Sequence, residues 1–109
     1  MREQSEKIAN STIQGIYNVP PTVLAKLLVD MAQSALTRVF YSDAGATAVE
    51  VALKLALQYW HLQGQPLRTR FVGLTGAYHG DTLGALSVGY SETFQRFYRN
   101  VITPVVRIK

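Results

Sequence analysis

Two short stretches hold the groups from which chemistry could be built. The first is Ser42-Asp43-Ala44-Gly45-Ala46-Thr47, which leads into an apolar helical pattern. Free N–H groups at a helix start, backed by the helix dipole, attract an anion. Gly45 and Ala46 let the backbone come close to such an anion. The Thr47 hydroxyl either caps the helix or bonds a phosphate oxygen. No Gly-Lys-Ser/Thr follows, so the stretch is not a nucleotide-binding P-loop. A plain structural N-cap is the alternative reading. The second stretch is Gly76-Ala77-Tyr78-His79-Gly80-Asp81. Tyr78 offers a planar ligand a stacking surface. His79 is a candidate general base, though no Ser or Cys nucleophile accompanies it. Asp81 is either a ligand contact or the N-cap of the next helix. The loop reads equally well as turn chemistry. Gly73-Leu74-Thr75-Gly76 lacks the glycine spacing of a dinucleotide fingerprint.

These stretches need elements to position them. After Pro20-Pro21, apolar residues Val23, Leu24, Leu27, Leu28, Met31 and Ala35 recur at three- and four-residue spacing. That predicts a helix to about 34–36 with a core-facing stripe. Arg38-Val39-Phe40-Tyr41-Ser42 reads as a buried strand. A second helix follows, with Thr47 and Glu50 at capping-box spacing. It is apolar on so many sides that burial on more than one is expected, and Gly64 and Pro66 stop it. Residues 70–75 read as the second strand and 82–88 as a short helix of small residues. Residues 89–100 read as a connector, and 101–106 as a third strand that Pro104 confines to an edge or ends early. Residues 1–20 show no apolar period and read as an irregular segment. Alternating strands and helices predict an α/β fold with parallel strands. Three such strands make an unfinished sheet, so the chain reads as a piece of a larger domain.

Both chemical stretches then follow a strand, where open α/β sheets bind ligands. One offers an anion seat and the other an aromatic plate. Together they suit a planar, phosphorylated cofactor.

Composition narrows the choice further. The chain has 109 residues, 48% apolar and 17% charged, enough for a core and unlike a disordered chain. It has no cysteine, which excludes disulfides, thiolate metal sites and thiol catalysis. His61 and His79 are its only histidines, too few for a histidine-built metal centre. The net charge of +4 falls entirely in residues 65–109, where six basic residues face two acidic ones. These arginines are dispersed, so a nucleic-acid-binding module is a remote alternative. No apolar run is long enough to cross a bilayer, and the polar start lacks a signal-peptide core. A cytoplasmic protein without membrane or nucleic-acid partners is the expectation. Asn10-Ser11-Thr12 fits the glycosylation pattern without a secretion signal beside it.

The residues from Ser42 to Ala56 resemble the phosphate-loop and helix signature of the class III, pyridoxal-phosphate-dependent aminotransferases. Gly76-Ala77-Tyr78-His79-Gly80-Asp81-Thr82-Leu83-Gly84-Ala85 resembles their second active-site loop. The resemblance spans about 19–98. It implies a part of the large, cofactor-binding domain of a fold-type I transferase, over residues 1–109, with mostly parallel strands and covering helices. The backbone of Gly45 and Ala46 would hold the cofactor phosphate, and Thr47 would support that seat. Many relatives carry Ser where Ala46 stands. Tyr78 would lie against the pyridoxal ring and border the substrate. His79 would shape the loop, and Asp81 would help to position the substrate.

The stretches Leu57-Gln58-Tyr59-Trp60 and Gly80 to Gly89 are similar to a biotin-synthesis branch of the family. That branch implies S-adenosylmethionine as amino donor, a keto acid as acceptor, and a homodimer. Another class III aminotransferase, for ornithine, acetylornithine or an ω-amino acid, is the alternative. The resemblance also implies a cofactor-bearing Schiff-base lysine and a pyridine-nitrogen aspartate, both beyond residue 109. Lys54 and Lys109 do not match that lysine. No catalytic residue is therefore expected here, nor transamination by this chain alone.

Overall fold

The computed structural model describes residues 2–7 and 17–109. They fall into two units, 1–40 and 41–109.

The first unit holds two helices, α1 (Arg2–Lys7) and α2 (Val19–Met31). The expectation of an irregular segment over 1–20 is corrected at both ends. Helix α1 carries Arg2–Glu6 and Glu3–Lys7 pairs at 3.6 and 3.0 Å. Opposite charges four residues apart support a helix with no apolar stripe. The Asn10-Ser11-Thr12 pattern lies outside the described residues. Helix α2 starts one residue ahead of Pro20-Pro21, where prolines are tolerated because first-turn N–H groups have no helical partner. It stops at Met31, earlier than expected, with Ala32 turning to extended backbone. Its stripe is not a core, for none of its residues is buried. Its polar side carries the Lys26–Asp30 pair at 2.7 Å.

The second unit is built from α3 (Gly45–Leu62), β1 (Val72–Leu74), α4 (Leu83–Val88), α5 (Glu92–Gln95), a 3-10 turn (Arg96–Tyr98) and β2 (Val106–Ile108). Gly64, at φ +71°, ends α3 as expected. Its N–H donates to His61 O, and that of Gln65 donates to Trp60 O. This is the Schellman arrangement that a left-handed glycine permits.

β1 and β2 pair in parallel, with Val72 opposite Val106, Gly73 opposite Arg107 and Leu74 opposite Ile108. Parallel pairing agrees with the α/β expectation. Two expected strands change. Residues 38–42 form no strand, for the ladder among the described residues joins β1 and β2 alone. The last strand begins after Pro104 rather than running through it, since proline donates no ladder hydrogen bond. The connector at 89–100 contains α5 and the 3-10 turn.

The core sits on α4, where Ala85, Leu86, Ser87 and Val88 are buried. Gly73 makes this possible, since a Cβ there would come within 2.5 Å of Val88 O. Ser87 Oγ donates to Leu83 O and accepts from Thr103 N–H. Arg107 Nη2 donates to Ser87 O at 2.7 Å, a cation at the negative end of a helix. Arg107 thus turns inward, so the basic half of the chain is not one outward-facing strip. Helix α3 corrects another expectation. None of its residues is buried, and Leu55, Tyr59 and Leu62 are more than half exposed.

Candidate functional site

The α3 start and the loop after β1 meet in an open depression of about 770 Å³. One wall is Ala44, Gly45, Ala46 and Val49; the other runs from Tyr78 to Thr82. Gly80 closes the seam between them. A Cβ on Gly80 would lie 2.5 Å from Ala46 Cβ, and its φ of +118° is one that side chains rarely adopt. The structure brings Gly45, Ala46, Tyr78, His79 and Asp81, from the two stretches singled out in the sequence, to one place.

On the first wall Ala44 is the N-cap and offers no side-chain cap. The first helical bond back is Ala48 N–H to Ala44 O, so the amides of Gly45, Ala46 and Thr47 have no carbonyl one turn back. A Cβ on Gly45 would meet nothing within 4 Å, so the chain is open there to a bound group. Eighteen residues of helix stand behind these donors. The arrangement suits an anion.

Thr47 is not the N-cap. It is the third helical residue, and its Oγ1 accepts the Ala44 N–H at 3.0 Å. The same Oγ1 lies 2.8 Å from both Asp43 Oδ1 and Ala44 O, to one of which its proton goes. The hydroxyl is held within the helix start and does not line the depression. Its contribution there is to fix the shape of the turn.

On the second wall the Tyr78 hydroxyl donates to Asp81 Oδ2 at 2.7 Å. That bond to a carboxylate, ahead of other causes, holds the phenol above its ordinary pKa of 10.0. Tyr78 is 65% exposed and available to a planar partner. Asp81 is not a helix cap; Thr82 holds the N-cap position of α4. His79 is exposed on the same loop. Its backbone packs so closely on Gly89 that a Cβ at 89 would lie 2.6 Å from His79 N. The spacing of Thr47 and Glu50 predicts a capping box for Glu50. Glu50 instead spans to α4, where Oε1 accepts from Thr82 Oγ1, Gly84 N–H and Ala85 N–H at 2.5, 2.8 and 3.1 Å. The signal that could have found this is the small pair Gly84-Ala85 at a helix start with no acidic residue of its own.

The aminotransferase class-III family matches residues 1–109, the whole chain. The chain belongs to the class III aminotransferases. A 51% identical relative, the adenosylmethionine-8-amino-7-oxononanoate aminotransferase of Anoxybacillus flavithermus, aligns over 90% of this aminotransferase chain and 22% of its own length. The crystal structure of the same-named enzyme from Methanocaldococcus jannaschii superposes with a TM-score of 0.92 at 46% identity, covering 97% of this chain and 24% of that one. An amine transaminase from an uncultivated Pseudomonas species, solved in its PLP-bound form, superposes with a TM-score of 0.86 at 36% identity, over 98% of this chain and 24% of that one. This aminotransferase chain spans about a quarter of the length of the relatives it matches.

The family's cofactor fits the residues present. Unsatisfied first-turn amides and open space at Gly45 suit its phosphate, and the exposed Tyr78 ring suits its planar heterocycle.

Proposed function

We propose that the depression is the phosphate seat and ring-facing wall of a pyridoxal 5′-phosphate site. The whole protein would be a transaminase that moves an amino group from S-adenosylmethionine to 8-amino-7-oxononanoate in biotin synthesis. The observation that carries this is the meeting of free α3 amides with the Tyr78 loop across the Ala46–Gly80 seam. The names of the relatives at 44–51% identity favour that donor and acceptor.

The amides of Gly45 and Ala46 bind the phosphate, and Thr47 keeps their turn in shape. Tyr78 lies against the ring and borders the substrate. Its bond to Asp81 limits the swing of the phenol. His79 shapes the loop and transfers no proton. The Asp81 carboxylate orients the substrate and favours a positively charged amino group at its end of the depression. Bound pyridoxal phosphate supplies the electron sink for amino transfer. The lysine that carries it belongs to another part of the protein, and a homodimer is the expected assembly.

The test has two parts. Titrating pyridoxal phosphate into the isotope-labelled chain should shift the amide resonances of Gly45 and Ala46 and the ring resonances of Tyr78, with inorganic phosphate shifting only the amides. Shifts confined to other positions would remove the site. The full-length protein should then use S-adenosylmethionine in preference to ornithine and sediment as a dimer. Preference for ornithine would move it to another branch of the family.

A further inference from the structure

We infer that Glu50 is a positioning residue that sets the distance between the anion seat at 44–46 and the aromatic loop at 78–81. The inference rests on the reading of the depression given above, and it adds a residue that touches no ligand itself.

Glu50 lies five positions after Gly45, a little over one turn along the helix that forms the seat. Thr82 immediately follows Asp81. A single carboxylate oxygen therefore ties the helix of the seat to the end of the aromatic loop, through bonds of 2.5, 2.8 and 3.1 Å. Thr82 stands at the N-cap of α4, yet its hydroxyl makes no cap bond and donates to Glu50 instead. The orphan amides of Gly84 and Ala85 are satisfied by a side chain from another element. Hydrogen bonds to an ionised acceptor are about twice as strong as neutral ones. Gly84 leaves room for this, because a Cβ there would run into the Glu50 carboxylate. The far end of α4 is fixed separately, by Gly89 against His79 and by Arg107 on Ser87 O. Helix α4, which begins where the loop ends, is thus held at both ends, and among the bonds described only those of Glu50 connect it to the helix of the seat.

Reach is the property that matters. Aspartate keeps the charge but shortens the side chain by about 1.5 Å, which draws the oxygen out of bonding range. Glutamine keeps both the reach and an acceptor. Wild-type, E50Q, E50D and E50A chains are compared by nuclear magnetic resonance without ligand. The readout is the cross-relaxation between the Ala46 methyl and Gly80 Hα, which the close seam predicts. Wild type and E50Q should show it; E50D and E50A should lose it. In the same two variants affinity for pyridoxal phosphate should fall by about tenfold, the loss of a ring contact, while affinity for inorganic phosphate stays within about twofold.

Retention of the seam signal in E50D overturns the inference, as does an equal loss of both ligands, which would mean that the seat itself had collapsed. If E50A loses its helical circular dichroism, E50D decides. If the full-length wild type binds no pyridoxal phosphate, the cofactor reading fails while the seam signal still decides the role of Glu50.

Discussion

Gly80 lies against Ala46 so closely that no side chain fits between the two loops. The nearest approaches to a Cβ at 80 would be 2.5 Å to Ala46 Cβ and 2.8 Å to Ala46 Cα. Thirty-four positions separate the two residues in sequence, and their contact brings the two loops into one depression.

That contact predicts a graded pair of alanine variants. Gly80→Ala meets both a backbone collision and a strained φ of +118°, whereas Gly76→Ala meets only a φ of +74° with nothing within 4 Å. Gly76→Ala should cost about 1–2 kcal/mol, the penalty of a left-handed conformation for an L-residue. Gly80→Ala should cost more, because backbone must also move. Amide exchange at Ala46 and Gly84 is the measurement; equal effects of the two variants would remove the seam from the account.

The Thr47 hydroxyl carries the turn at the start of α3. Thr47→Val keeps the shape of the side chain and loses the Ala44 N–H and Asp43 bonds. Loss of such a bond at a helix start costs about 0.5–2 kcal/mol. Circular dichroism should show a fall in helicity that Thr47→Ser largely restores. A Val variant as helical as wild type would count against the role.

Glu50 predicts a response to acid. Its carboxyl is held below its ordinary 4.5, first by the Thr82 hydrogen bond and then by the amides of Ala85 and Gly84, with partial burial opposing them. A carboxylate whose folded value is depressed stabilises the fold fully above its unfolded value. That stabilisation disappears as the pH falls below 4.5 and through the folded value. Protection of the Ala85 amide should therefore weaken in that window. In E50Q it should be lower at neutral pH and flat across the window. A wild-type amide indifferent to acid would contradict the geometry.

Tyr78 and Asp81 predict a spectroscopic shift. The hydrogen bond to Asp81 raises the phenol's pKa above 10.0. Asp81→Asn removes the negative charge and should bring the phenolate transition of Tyr78, followed by the carbon resonance of its ring Cζ, to lower pH. Tyr78→Phe should remove the Tyr78 ring signal and leave the α3 amide resonances in place. An unchanged transition in the Asn variant would mean that the pair does not form in solution.

Much of this protein was legible from local pattern alone. The two loops, the helix between Gly45 and Gly64, the short helix after Thr82 and the parallel α/β order all follow from residue spacing, turn chemistry and the positions of glycine and proline. Those signals act over a few residues, and a sequence displays them directly. The tertiary structure decided what depends on a partner. It kept 38–42 out of the described sheet, moved the last strand beyond Pro104, and turned Glu50 from its own helix start to that of α4. It also left the apolar flanks of α2 and α3 exposed. Pairing, burial and the reach of a side chain across thirty residues are properties of two surfaces meeting. No window of the chain contains both.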